Sequence, residues 1–223
     1  MHLKRYRMPA AWKMKTKERT FAIVPQGAHP LQRSIPLAVL LRNMLGLAQT
    51  RAEADAILRE GKVLVDKKVR KAGDFGVGLM DVLEIPDAKL RYRIDLAKAG
   101  LDLQETTETA SKLCRVRGKT TVRGGKTQIN LHDGKNILTS GAYRPGDSVL
   151  VSLPEGKILE HFPLKKGARV LITDGTKRGL RGKLLSITEK KTMTGKATVT
   201  VDVAGKTIET RKDYLFVLGK EAA

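Results

Sequence analysis

The chain has 223 residues, 41% of them apolar, and 43 Lys and Arg against 23 Asp and Glu, a formal net charge of +20. That length allows one large domain or two to four small ones with real cores, and so strong a positive charge calls for a polyanionic partner, nucleic acid first. The longest apolar run, Ile35 to Leu41, has seven residues against about 20 for a membrane-crossing helix, which argues against a membrane protein.

The single cysteine, Cys114, cannot form an internal disulfide, and the N-terminus carries charge where a secretory signal would be apolar. Both predict a reducing, cytoplasmic setting, with an organelle transit peptide as the open alternative. Aromatics are 4% of the residues, few for base-stacking platforms, so recognition should lean on phosphates and shape.

Residues 1–20 hold seven Lys or Arg and one Glu, with Pro9 and no helical apolar period. They read as a basic arm that does not order by itself, Trp12 being its anchor; a frayed terminus is the bland alternative. From Ser34 the pattern changes. Pro36 suits a first helical turn, and Leu37, Leu40, Leu41, Met44 and Leu45 form one apolar stripe at helical spacing. Gly46 weakens the end of that helix. Thr50-Arg51-Ala52-Glu53 then has capping-box spacing and Gly61 fits a stop, predicting a second helix over about 51–60. In KVLVDKKVRKAG, Val63 and Val65 alternate with Lys62 and Leu64, and Asp66-Lys67 sits like a hairpin turn. The strand-like run 78–85 ends at Pro86.

Residues 96–113 are polar and moderately acidic, which leaves a helix or an interdomain link open. From Cys114 to Pro163, short strand-like pieces alternate with Gly, Asp, Asn and Pro turns, predicting a small all-β domain. Residues 164–219 continue in the same style and suggest a compact barrel.

No motif argues for catalysis. Three GKT triplets (118–120, 125–127 and 205–207) lack the glycine five positions earlier that a P-loop needs, having Leu113, Thr120 and Thr200 there. GVGLMD at 76–81 has Asp81 in place of the third glycine of a dinucleotide loop. The histidines at 2, 29, 132 and 161 are dispersed and read as surface or turn residues, so no metal, cofactor or small-molecule substrate is expected. DGTKRGLRGK, residues 174–183, is a glycine turn between two strands with Lys177, Arg178, Arg181 and Lys183 on its rim; Gly175, Gly179 and Gly182 permit positive φ and close backbone approach. Taken alone, it is a phosphate-contacting turn or a solvated hairpin.

That strand, Gly-x-x-x-Gly-x-x-Gly-Lys turn and strand resemble the KOW motif of small SH3-like barrels. Residues 36–85 resemble the S-four RNA-binding domain. With HLKRYRMPAAWKM before them, GGKTQINLHDGKNI and PGDSVLVSLP between them, and TRKDYLFVLGK behind, the whole chain resembles the S-four-e family of small-subunit ribosomal proteins. The resemblance implies an α+β multidomain fold: a basic arm (1–35), an S-four-like module (36–95), a central β domain (96–163) and a KOW SH3-like barrel with its tail (164–223). It implies a ribosomal structural protein of archaeal type, binding small-subunit ribosomal RNA beside neighbouring ribosomal proteins in the cytoplasmic ribosome.

The RNA contacts implied are Lys4, Arg5, Arg7, Trp12, Lys13, Lys15, Lys17 and Arg19 of an arm that orders only against RNA. To these the module adds Arg42, Arg51, Lys62, Lys67, Lys68, Arg70 and Lys71, and the barrel Lys177, Arg178, Arg181 and Lys183. Two positions depart from the family pattern. Lys67 replaces the turn glycine of Asp-Gly-Lys, so the hairpin must accept a side chain there, in this turn type or another. Arg178 replaces an Asn, adding charge but removing an amide. An RNA-modifying enzyme, or a transcription or translation factor that binds transiently, are the alternative readings.

Overall fold

A computed structural model describes residues 2–27, 29–188 and 197–219. Strands dominate over a few short helices in an α+β arrangement, and the chain divides into two compact units, Met1–Lys112 and Leu113–Ala223. Among the described residues no helix is long and apolar enough to cross a membrane.

In the first unit, β1 (Leu3–Lys4) pairs antiparallel with β2 (Phe21–Ala22) and closes the basic segment into a loop. β3 (Ser34–Pro36) leads into one turn of α-helix, α1 (Leu37–Val39), which widens into a π-helical turn over Leu40–Met44. The Leu45 amide bonds to the Leu40 carbonyl at 3.0 Å, five residues back. The expected stripe is therefore helical, and Leu37, Leu40 and Leu41 are buried. Gly46, at φ +67°, ends it.

α2 (Arg51–Arg59) starts on the capping box read from the sequence. The Glu53 amide donates to Thr50 Oγ1 at 3.3 Å, and the Glu53 carboxylate accepts the Gln49 amide at 2.8 Å. That amide bond, with the Thr50 hydroxyl, holds the Glu53 pKa below its ordinary value. Gly61, at φ +77°, stops the helix.

β4 (Leu64–Val65) and β5 (Lys68–Val69) form the predicted hairpin, and Asp66 and Lys67 both occupy the left-handed region, at φ +52° and +63°. Two positive φ values mark a type I′ turn, so the chain keeps the turn that glycine favours and places a lysine in it. β6 (Gly76–Gly78) pairs with β3, and no helix follows it, which removes the dinucleotide-loop reading of 76–81.

β7 (Val82–Ile85), β8 (Leu90–Ala97) and β9 (Gly100–Glu105) complete a five-stranded antiparallel sheet of order β5-β4-β7-β8-β9. The boundary placed between residues 95 and 96 falls inside β8, and the stretch from 96 begins as a strand hairpin rather than a helix or link. The physical reason lies in β8, where Ile94 and Leu96 are buried while Arg91, Arg93 and Asp95 dilute the apolar signal.

The second unit is built on two antiparallel sheets. β10 (Ser111–Thr121), β11 (Thr127–Leu131), β12 (Asn136–Thr139), β13 (Ser148–Ser152) and β14 (Ile158–Phe162) are ordered β12-β11-β10-β13-β14 over a core of Cys114, Val116, Ile129, Leu131, Val149 and Val151. β15 (Arg169–Ile172), β16 (Arg181–Thr188), β17 (Thr198–Val203), β18 (Lys206–Arg211) and β19 (Leu215–Val217) are ordered β18-β17-β16-β15-β19. Alternating inward residues such as Val170, Ile172, Val199 and Val201 form their core. The GKT triplets at 118–120 and 205–207 lie in β10 and at the tight β17–β18 turn, and the one at 125–127 lies at the β10–β11 turn. None precedes a helix as a P-loop must.

Candidate nucleic-acid interface

The basic arm, expected to order only against RNA, is packed onto the first unit through Trp12. Trp12 is fully buried and its indole Nε1 donates to the Ser34 carbonyl oxygen at 2.8 Å. The short helical turn Ala10–Trp12 lies against β9, where a Cβ added to Gly100 would stand 2.2 Å from Ala11 Cβ. Arg5 is 5% exposed, donating from Nη1 to the Lys15 carbonyl at 2.7 Å and facing Glu18 at 3.5 Å. Trp12 thus anchors the arm as expected, but a buried indole cannot stack on a base, and Arg5 serves first as an internal strut. Burial of the indole stabilises this packing of the arm.

The other arm cations lie outside. Lys4, Arg7, Lys17 and Arg19 are exposed. Lys13 pairs with Asp102 at 3.0 Å, and Lys15 with Glu18 at 3.4 Å.

The folded arm brings its arginines to the helical segment. Burial and the charges of Arg5, Arg19 and Arg51 all pull the Arg42 pKa below its ordinary value; Glu18 opposes them. Arg42 is half-buried, with Nε donating to Asn43 Oδ1 at 3.0 Å, and Arg51, at the start of α2, reaches Asp55 at 3.2 Å. Arginines of the arm and α2 thus act electrostatically on Arg42 in the π-turn, with Glu18 beside Arg5 and Asp55 beside Arg51 as the acids set against this repulsion. A phosphate among them would relieve that repulsion and accept the forked N–H donors of arginine.

The hairpin cations divide. Lys67 is turned inward: Nζ donates to Glu84 at 2.8 Å and to the Thr109 hydroxyl at 2.7 Å. Lys62 lies 2.6 Å from Glu60 and 3.7 Å from Asp87, and the Glu60 hydrogen bond raises its pKa. The Arg70 guanidinium lies 4.2 Å from the Phe75 ring centroid, a cation–π contact. Lys68 and Lys71 are exposed.

Beneath the turn lies a buried charge cluster that the sequence did not disclose. Lys112, 1% exposed, donates to Asp66 at 2.8 Å and to Asp81, which also receives the Gly78 amide at 2.7 Å. His29 Nε2 is 3.2 Å from Asp81, so this histidine is a buried partner and not a surface residue. Burial alone would raise the Asp81 pKa, but Lys112 and His29 outweigh it and hold the carboxyl well below the usual carboxylate range.

In the second unit the rim of residues 174–183 has the expected shape. Gly175 and Gly179 have φ of +84° and +83°. Gly182 instead meets the close-approach role, since a Cβ there would fall 2.2 Å from the Asp202 carbonyl oxygen. Lys177 and Lys183 are exposed, and Arg178 and Arg181 half-buried. Beside the turn is an open depression of about 330 Å³ lined by Thr176, Lys177, Arg211 and Tyr214 among others. Arg211, 5.7 Å from the Tyr214 ring centroid, was missed in the sequence because it ends a strand 28 positions beyond the last rim cation, Lys183.

A family model described as "Ribosomal family S4e" matches residues 91–158, and one described as "S4 domain" matches residues 35–83. The chain is 39% identical to the small ribosomal subunit protein eS4 of Methanothermobacter thermautotrophicus, over 99% of this chain and 93% of that one. It is 39% identical to the eS4 protein of Archaeoglobus fulgidus, over 99% and 94%. It is also similar to the crystal structure of the 30S ribosomal protein S4e from Thermoplasma acidophilum, with a TM-score of 0.71 and 30% identity over 85% of this chain and 96% of that one.

Proposed function

The chain belongs to the ribosomal S4e family, and from that premise we propose that it is a structural constituent of the small ribosomal subunit, not an enzyme, which holds ribosomal RNA through several basic surfaces. The arm, the S4 module running through β9, the central β sheet and a KOW SH3-like barrel over residues 164–223 are its four parts. Its partners are small-subunit ribosomal RNA and neighbouring ribosomal proteins of the cytoplasmic ribosome.

The observation that carries the RNA-binding reading is that the arm and the S4 module expose cations together, Lys4, Arg7, Lys17 and Arg19 with Lys68 and Lys71, while Arg5, Arg19 and Arg51 press their like charge on half-buried Arg42. A fold that packs like charges together, with their repulsion only partly offset, gains most from a polyanion. Several modest sites on one chain then raise affinity through effective concentration. Phosphate contacts of this kind fix position, and the shape of the folded RNA supplies specificity.

The test is ultraviolet crosslinking in a lysate followed by gradient sedimentation. The expected result is near one copy per small subunit, with small-subunit RNA crosslinked to peptides spanning Arg19, Arg42 and Arg51. A mostly free pool, or crosslinks to transfer RNA or nascent transcripts, would overturn the proposal in favour of a transient factor.

A further inference from the structure

The β10–β11 hairpin carries positive charge that is paired with no acid among the described residues of its unit. Arg117, Lys119, Arg123 and Lys126 are all exposed, and no Asp or Glu occurs between Glu108 and Asp133. Among the described residues none of the four takes part in an ion pair. In the first unit, by contrast, Lys13, Lys15, Arg51, Lys62 and Lys67 each face a carboxylate. Asp133 belongs to the opposite, β11–β12 end of the sheet, where Lys135 lies 3.5 Å from it.

The shape suits a backbone ligand. The ladder continues beyond buried Ile129, opposite Lys119, to Thr120–Gln128 and Thr121–Thr127, so the tip is held by paired strands. The turn is closed by the Val122 amide on the Lys126 carbonyl at 2.9 Å. Gly124 and Gly125, at φ +86° and +73°, have nothing within 4 Å of where a Cβ would stand, leaving their backbone open to close approach. Uncharged hydroxyls of Thr121, Thr127 and Thr139 adjoin the tip through the register of the three strands. Arg117 and Lys119 lie on β10 and Arg123 and Lys126 in the turn that ends it, so at roughly 3.3 Å per residue the cations extend over about 15 Å from Arg117 to the turn, a length over which a regularly charged backbone presents several phosphates.

We propose that this hairpin tip is a further RNA-backbone contact, in which Arg117, Lys119, Arg123 and Lys126 bind consecutive phosphates of structured RNA. The proposal rests on the RNA-binding reading above and adds a surface in the second unit outside the KOW turn. Leu138, 60% exposed on β12 opposite Gln128, stands beside the tip, but four cations in a stretch with no acid from 109 to 132 favour the continuous negative charge of an RNA backbone over an acidic protein.

The test compares the salt dependence of binding of the full chain to transcribed small-subunit ribosomal RNA. Each phosphate contact contributes about −0.7 to −0.9 to the log–log slope. The R117A/K119A/R123A/K126A variant should therefore flatten the slope by about 2 to 4, while R117K/R123K keeps the wild-type slope and R42A/R51A flattens it independently. An unchanged slope in the quadruple variant, with R42A/R51A still flattening it, would overturn the hairpin contact and leave RNA binding standing; if subunit occupancy fell at the same time, the tip would belong to a protein neighbour. Loss of slope in R117K/R123K would assign the effect to packing and also overturn the proposal. A wild-type chain with no salt-dependent binding would overturn both the contact and the reading beneath it.

Discussion

Trp12 is the one tryptophan of the chain, so its fluorescence tests whether the arm is folded without RNA. A buried indole removes roughly 150–250 Å² from water, worth up to about 4–6 kcal/mol at ~25 cal/mol per Å². Trp12→Phe keeps most of that area but leaves the Ser34 carbonyl, in a residue 1% exposed, without its donor, a cost of about 1–3 kcal/mol. If opening of the arm limits cleavage, trypsin should cut after Lys13, Lys15 and Lys17 about 5- to 150-fold faster in that variant. Gly100→Ala, which crowds Ala11, should release the same segment while leaving the indole bond intact. In the RNA-free wild type, Trp12 should be shielded from a neutral quencher such as acrylamide. An indole quenched as freely as in the urea-unfolded chain, and shielded only on adding RNA, would refute the folded arm and restore an arm that orders on binding.

Two further predictions concern the hairpin and the charges under it, both read by the urea transition that Trp12 fluorescence reports. Lys67→Gly and Lys67→Ala remove the same contacts to Glu84 and Thr109, yet only alanine bears the cost of φ +63°, so the glycine variant should be more stable by about 1 kcal/mol; equal midpoints would refute the left-handed turn. Lys112→Met leaves Asp66 and Asp81 buried without their cation, at a cost of about 3–5 kcal/mol near neutral pH. In the wild type the Asp81 pKa is depressed, so its contribution is present above the unfolded value of about 3.9 and is lost as pH falls below it. In the variant the lowering effect of Lys112 on Asp81 is lost, and a proton taken up by Asp81 offsets part of the cost as pH falls. The deficit relative to wild type should thus shrink between pH 7 and pH 5, and a deficit that grows would refute the cluster.

What was legible in the sequence is what neighbours in the chain decide. Thr50, Glu53 and Gly61 bound α2 within one turn at each end, and the alternation at 197–203 and 206–211 pairs as a hairpin in the structure. β8 and β9 were hidden because their outward charges mask a short buried alternation. The widening at Leu40–Met44 was hidden because α- and π-turns bury the same apolar side of the segment. The folded arm was hidden because its contacts reach far along the chain, from Trp12 to Ser34 and from Ala11 to Gly100.

The same distance rule decides which cations can serve RNA. Composition gives a charge of +20, but counterion release follows the cations that phosphates neutralise and not the total. Lys67 reads in sequence as the tip of a basic hairpin, yet it is committed to Glu84 and Thr109, 17 and 42 residues away; Lys112 is committed to Asp66, 46 residues away. Such cations fix the shape of the module and add little to the salt slope. The slope should instead be carried by exposed cations that folding leaves without an acid, such as the tip at 117–126, and by the arginines around Arg42, which Glu18 and Asp55 only partly offset. Lysines and arginines in this chain therefore divide between building the surface and charging it, and the division is set by where the acids fall once the chain is folded.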